Sequence, residues 1–93
     1  MTDKTEIEIQ RGEQAARLLS EPLLVETLEL IELEYTQEWK NSPVRDVEGR
    51  EKLWLMVRTV QKLRSELEAV LETGKLAQHR LEQESLAQQI GRM

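Results

Sequence analysis

Only one strong turn sequence interrupts this chain of 93 residues, and it covers residues 41–45, Asn-Ser-Pro-Val-Arg. Elsewhere glycine and proline are scarce, with four glycines and two prolines in the whole chain. Leucine, glutamate, glutamine, lysine, arginine and alanine dominate, and these residues lose little free energy on entering a helix. No stretch alternates apolar and polar residues as a β-strand would. The sequence therefore predicts an all-α fold.

Two prolines and one acidic residue divide the chain into three predicted helices. Pro22 follows Ser20 and Glu21, and proline is favoured in the first helical turn because it has no amide hydrogen to leave unsatisfied. The pattern leaves open whether the helices on either side of Pro22 are separate or meet in a kink. Asp46 follows the turn sequence and is predicted to be the N-cap of the third helix. Acidic residues come soon after it in the sequence, where the positive N-terminal end of the helix favours them. We expect a single helical domain, 1–93, with helices over about residues 4–19, 22–40 and 46–89.

Apolar residues recur at alternating spacings of three and four in the second and third predicted helices. This spacing turns one narrow apolar stripe toward a partner helix, as in a coiled coil. A short turn joins the two helices, so we predict an antiparallel helical hairpin with a long third helix. The predicted stripes are Leu24, Leu28, Ile31 and Tyr35 on the second helix, and Leu53, Met56, Val60, Leu63, Leu67, Val70, Gly74, Ala77 and Leu81 on the third.

The antiparallel register brings small residues together if the first helix folds back along the third. With Tyr35 beside Lys52 or Leu53, paired positions sum to about 87, and Gly12 falls beside Gly74 or Lys75. Two opposed glycines would let the helices approach closely. Equally, Gly12 could be a point of fraying and Gly74 a tolerated flaw in a helix. The glutamine-rich segment after residue 77 also has two interpretations, a frayed helix end or a tail that orders on a partner.

Besides the two predicted stripes, the sequence contains further apolar residues, more than the contact between a single pair of helices can bury. Because a two-helix hairpin of this size has a thin core, we expect it to be completed by oligomerisation or by a larger protein assembly. Alternatively, the first helix could cover part of these additional apolar residues. Trp39 and Trp54 lie with Tyr35 around the turn, and they either close it as a cluster or form a recognition patch. The residues predicted to bind a partner are Leu23, Leu30, Leu33, Trp39, Trp54, Leu71, Leu86 and Ile90.

Charge is unevenly distributed between the two arms of the predicted hairpin. The second helix carries five glutamates against one lysine, whereas residues 45–64 carry six basic residues against three acidic ones. We expect the arms to attract each other, which would select their orientation. Nucleic acid is not the favoured partner for a chain of net charge −5. If it were bound, the predicted phosphate contacts would come from Arg45, Arg50, Lys52, Arg58 and Lys62.

The sequence contains few combinations of residues that could catalyse a reaction or bind a metal. The chain has no cysteine and one histidine, which excludes disulfides, thiol catalysis and a cysteine-based zinc site. His79 and Glu82 lie one helical turn apart, but two such side chains make a weak metal site without a further ligand. The longest apolar run, Leu53–Val57, is too short for a membrane span or a signal-peptide core. We expect no enzymatic activity, no cofactor and no small-molecule substrate.

Several short segments make up a recognisable pattern: Gly12–Leu19, Pro22-Leu23, Trp39, Glu48–Trp54, and Gly74-Lys75 followed by Ala77. In this pattern the sequence resembles small helical proteins encoded in tailed-bacteriophage genomes, over roughly residues 11–82. The resemblance implies a virus-encoded protein in the cytoplasm of a bacterial host, or incorporated in a virion. It implies a role in particle assembly, DNA packaging or genome delivery, and it transfers no functional residue.

Three hypotheses follow for the function. The preferred one is a non-enzymatic helical assembly protein, a phage virion-assembly or genome-delivery component that associates through its exposed leucines. The second is a nucleic-acid-binding subunit, either regulatory or resembling a small terminase, and it predicts salt-dependent binding to duplex DNA. The third is a small inhibitor of a host protein, and it predicts a stoichiometric partner that is lost when the charges of Glu29 and Glu32 are reversed.

Overall fold

The computed structural model describes residues 3–91 and consists of three helices. They are α1 (Lys4–Leu19), α2 (Pro22–Asn41) and α3 (Val47–Gly91), and no strand occurs within the described residues. The predicted all-α fold with a long third helix is confirmed. Within the same range, no helix combines the length and the apolar character that crossing a membrane requires.

The residues just before each helix explain where the helices begin. Asp3 Oδ1 accepts a hydrogen bond at 2.9 Å from the amide three residues later, at the start of α1. Asp46 Oδ1 accepts one from the Gly49 amide at 3.1 Å, so Asp46 is the N-cap of α3, as predicted. By contrast, α2 has no side-chain cap and begins at Pro22, directly after Glu21 in an extended conformation. Helices α1 and α2 are therefore separate helices.

The helices form two compact units. In the first, which we call the α1 unit, α1 as far as Leu18 packs with the part of α3 that begins at Leu67. In the second, the α2 unit, residues Leu19–Glu66 bring α2 together with the first part of α3. Helix α3 therefore belongs to both units: its first part packs with α2 and its second part packs with α1.

In the α2 unit, α2 and α3 run antiparallel. Close to the turn, Arg50 donates a hydrogen bond to the carbonyl oxygen of Trp39 at 3.0 Å. Farther from the turn, Gln61 Nε2 donates one to Glu32 Oε1 at 2.8 Å. Leu28, one turn before Glu32 on α2, is buried. The half-buried apolar residues of the unit include Leu24, Ile31, Tyr35, Trp39, Leu53, Val57 and Val60. The predicted antiparallel hairpin is therefore confirmed.

In the α2 unit, the predicted stripe on α3 is right at Leu53 and Val60, which are half-buried, and wrong at its other two positions. Met56 and Leu63 are exposed, although the spacing rule places both of them in the contact with α2. Val57 and Arg64 are half-buried in their place. Positions 53, 57, 60 and 64 also alternate by three and four, so the rule fits two adjoining stripes equally well. Helix α2 packs on the second of these stripes.

The hydrogen bond between Glu32 and Gln61 joins the ends of two long side chains, so it does not fix the register of the two backbones. The register predicted for the α2 unit therefore stays a prediction. Spacing along a sequence determines which residues share a face of a helix. It does not determine how far one helix slides along the other, because that distance depends on the geometry of the turn.

In the α1 unit, two glycines bring the backbones of α1 and α3 into close contact. A Cβ atom added to Gly12 would lie 2.8 Å from the Cα of Gly74, and one added to Gly74 would lie 2.7 Å from the Cα of Gly12. Arg80 Nη2 lies 3.8 Å from Glu8 Oε2, which shows that these two helices are also antiparallel. The predicted opposition of Gly12 and Gly74, and the return of the first helix along the third, are confirmed.

Candidate interaction surfaces

Few large side chains are buried in either unit. Among the described residues, the buried apolar ones are Ala15, Leu28 and Ala77. Large apolar side chains that are more than half exposed occur in both units, for example Leu30 in the α2 unit and Leu76 in the α1 unit. Apolar surface is therefore available for a partner.

Three leucines of α2 lie on the side of the helix that faces away from α3. Leu23, Leu30 and Leu33 are 71%, 53% and 54% exposed. They follow one another at spacings of seven and three, which places them on one side of the helix. We call these three residues the leucine face of α2. The sequence predicts all three as partner-binding residues, and within its own unit the chain leaves them unpacked.

The exposed charge of α2 is almost entirely negative, with Lys40 as its basic residue. No ion pair among the described residues involves α2, since those present lie within α3 or join α1 to α3. Glu32 is half-buried and accepts the hydrogen bond from Gln61. The predicted attraction between the two arms therefore does not take the form of ion pairs. The exposed acidic residues of α2 are Glu26, Glu29, Glu34 and Glu38.

Arg50 closes the C-terminal end of α2. Its Nη1 donates hydrogen bonds to the carbonyl oxygens of Trp39 and Ser42, at 3.0 and 3.2 Å, and to Ser42 Oγ at 2.9 Å. Its guanidinium carbon lies 4.6 Å from the centroid of the Trp39 ring. The last carbonyls of a helix have no partner within the helix, and Arg50 provides one. Nothing in the sequence distinguishes Arg50 from the neighbouring basic residues, so this role could not be predicted.

Of the other predicted phosphate-binding residues, Arg58 and Lys62 lie one turn apart on α3 and line the same groove. The guanidinium carbon of Arg58 lies 5.7 Å from the centroid of the Trp54 ring. Lys62 forms an ion pair, at 3.4 Å, with the glutamate one turn later. Arg45 and Lys52 are exposed, one in the turn and the other on α3. Arg50 is hydrogen-bonded at the end of α2. The five predicted phosphate-binding residues therefore lie in different local environments.

The two tryptophans occupy different environments near the turn. Trp39 is half-buried beneath Arg50, whereas Trp54 is 52% exposed. Both line a shallow groove together with Thr36 and Val57. Trp39 therefore helps to close the turn, in line with one of its two predicted roles, whereas Trp54 presents about half of its surface to solvent.

The remaining predicted partner residues lie on α3 in the α1 unit. Leu71 is half-buried and lines a groove with Gly12 and Gly74, so it is packed against this contact. Leu86 and Ile90 are exposed, like the leucine face of α2. Within the described part of the chain, no three side chains of metal-binding type come together.

Comparisons of the chain with protein-family models, with curated proteins and with solved structures found no match. Its class is therefore defined by its architecture alone. It is an all-α protein of two antiparallel helix pairs, with an unpacked leucine face on one of them.

Proposed function

We propose that this chain is a non-enzymatic assembly protein that associates with other protein chains through the leucine face of α2. The observation that carries the proposal is the exposure of Leu23, Leu30 and Leu33 on the side of α2 opposite its contact with α3. A helix with apolar residues on two sides usually has a neighbour on each side. Exposed apolar residues that recur on one side of a helix and are bordered by polar ones are typical of surfaces that contact another chain.

Burial of the leucine face would contribute substantially to association. Full burial of a leucine side chain contributes about 1.5–3 kcal/mol. More than half of the surface of each of these leucines is exposed and would be buried by a partner. Together they would contribute about 3–5 kcal/mol before the entropic cost of association is subtracted. Neighbouring residues must supply the remainder of the binding free energy.

The resemblance to small helical bacteriophage proteins supports a biological setting for this assembly. In that setting the chain is a virion-assembly or genome-delivery component, made in the cytoplasm of a bacterial host. It is present in the particle or in an intermediate of particle assembly. Mass spectrometry of purified particles and of their assembly intermediates tests this setting, and absence of the chain from both would exclude it.

Sedimentation velocity of the full chain over a wide concentration range tests the proposed association. We expect a mass above the 10.9 kDa of one chain, or a stable complex with a partner from the native source. L30Q removes the central leucine of the face and keeps a good helix former, so we expect association at least about tenfold weaker. The matched control is L76Q, because Leu76 is 64% exposed and has polar residues one turn away on either side.

Two outcomes would contradict the proposal. One is a single-chain mass at every concentration, with no protein recovered in complex with the chain from its native source. The other is an equal loss of association in L76Q and L30Q, because the leucine face would then have no special role.

A further inference from the structure

Helix α2 carries negative charge that the chain does not neutralise. Residues 21–38 include six acidic residues and no basic one, and none of the six forms an ion pair within the described residues. Glu26 lies three residues after Leu23, and Glu34 lies four residues after Leu30, so these carboxylates border the leucine face. A partner surface for this face should therefore combine apolar side chains with positive charge.

Such a surface lies on α3 in the same unit. Residues 52–65 include four basic residues and no acidic one. Half-buried Leu53, Val57 and Val60 mark the side of this segment that is turned toward α2. The exposed residues on the other side follow helical spacing, and we call them the basic face of α3: Lys52, Leu55, Met56, Thr59, Lys62 and Leu63.

We propose that the leucine face of α2 in one copy of the chain docks on the basic face of α3 in a second copy. This inference rests on the proposed assembly function and specifies that the partner is the chain itself. Both faces alternate apolar and charged residues about one helical turn apart. Leucines of α2 therefore meet Leu55, Met56 and Leu63, while the carboxylates beside them meet Lys52 and Lys62.

The ion pair of Lys62 with Glu66 does not prevent this contact. Both side chains are largely solvent-exposed, at 75% and 67%, and their separation is 3.4 Å. Exposed pairs of this type are weak and exchange readily with other partners. Lys62 can therefore turn to a carboxylate of the docked helix.

The contact is heterologous, because it joins two different surfaces of the same chain. A copy that is bound through its leucine face still offers a free basic face, so copies add in one direction until a ring closes or a filament forms. Docking of two leucine faces would instead bring the carboxylates of both copies together, which is repulsive. Charge therefore favours the pairing of unlike faces.

The two faces can be occupied at the same time. The leucine face points away from α3 and the basic face points away from α2, and they share no residue. A copy in the middle of such an assembly can therefore bury both faces at once.

Two full-length double variants, each with one face blocked, test the proposal. L30K/L33K places lysines in the leucine face, and M56E/L63E places carboxylates in the basic face, at positions that are 45–54% exposed. At a concentration where the wild type is associated, we expect each variant alone to sediment as a single chain. Mixed in equal amounts, they should associate again, because the intact leucine face of one variant meets the intact basic face of the other. L76K is the control and should assemble like the wild type.

The outcomes separate this inference from the proposed function. If M56E/L63E assembles like the wild type and L30K/L33K does not, two leucine faces are in contact, and the head-to-tail arrangement is overturned while the leucine face keeps its role. If both double variants assemble like the wild type, neither proposal survives. A wild type that remains a single chain at all concentrations overturns this inference, and the recovery of a different partner protein then decides the proposed function.

Cross-linking of the wild type provides a second measurement, which does not depend on the folding of any variant. Carbodiimide joins carboxylates to lysines that are in contact, and a mixture of unlabelled and ¹⁵N-labelled copies identifies links between chains. We expect links from Glu26 or Glu34 of one copy to Lys52 or Lys62 of another. Intermolecular links that exclude α3 of the α2 unit would overturn the proposal.

Discussion

Replacement of Gly74 by alanine tests whether the α1 unit depends on direct contact between two helix backbones. The added Cβ would lie 2.7 Å from the Cα of Gly12 and 2.9 Å from the carbonyl oxygen of Glu8. Both neighbours are backbone atoms, so rotation of a side chain cannot relieve the overlap. Helices α1 and α3 must therefore move apart to accept the methyl group.

Two effects of opposite sign determine how much G74A changes the free energy of unfolding. Alanine stabilises a helix interior by about 1 kcal/mol relative to glycine. Overpacking of a close contact costs about 1–3 kcal/mol, and separation of the helices also exposes part of buried Ala15 and Ala77. We expect a net loss of about 1–2 kcal/mol in the free energy of unfolding, or roughly 5–15 °C in Tm.

Urea unfolding at one fixed protein concentration, followed by far-ultraviolet circular dichroism, measures this loss. G91A is the control, because a Cβ at Gly91 would meet no atom within 4 Å, and we expect it to be neutral or slightly stabilising. G12A/G74A should cost less than the sum of its single variants, since one separation of the helices accommodates both methyl groups. A G74A protein as stable as the wild type would show that the helices are not in such close contact.

Three further predictions concern the α2 unit. D46A should lower the free energy of unfolding by about 1 kcal/mol because it removes the N-cap of α3, and D46N should restore most of the loss. R50K should cost about 1–2 kcal/mol and shift the fluorescence of Trp39 to the red in a W54F background, because lysine cannot reproduce the planar hydrogen-bonding group. R64M should be neutral or stabilising by about 1–2 kcal/mol, because Arg64 Nη2 is buried without a hydrogen-bond partner.

The same unfolding measurement distinguishes the alternatives for these variants. Equal instability of D46N and D46A would mean that the side chain does not act as a cap. Unchanged stability and emission in R50K would show that Arg50 is not needed at the end of α2. A clear loss of stability in R64M would mean that the guanidinium has a favourable partner in solution.

Local chemistry explains why the helix boundaries could be predicted from the sequence. Pro22 cannot donate a hydrogen bond within a preceding helix, and Asp46 has the short acidic side chain that an N-cap requires. Both effects act within a few residues and do not depend on a distant partner. The sequence also predicts the opposition of Gly12 and Gly74, as one of two equal interpretations, because glycine is the residue that allows two helix backbones to touch.

The packing of the α2 unit depends on information that lies outside any short segment. Val57 and Met56 are both apolar, and the spacing rule fits a stripe through either one, so only the position of α2 decides which is buried. The role of Arg50 likewise follows from the place where α2 ends in space. For the glutamates of α2, the uneven charge predicts attraction to a basic surface, but none of them forms an ion pair with α3 among the described residues.

The scarcity of large buried side chains also affects how the protein responds to temperature. The heat-capacity change of unfolding grows with the apolar surface that becomes exposed, and it averages about 12–15 cal/mol/K per residue in globular proteins. Over residues 3–91, two alanines and one leucine are the buried apolar residues, so a dilute, unassociated chain should fall below that range. Its stability would then vary little across the physiological range of temperature, and its calorimetric transition would be broad.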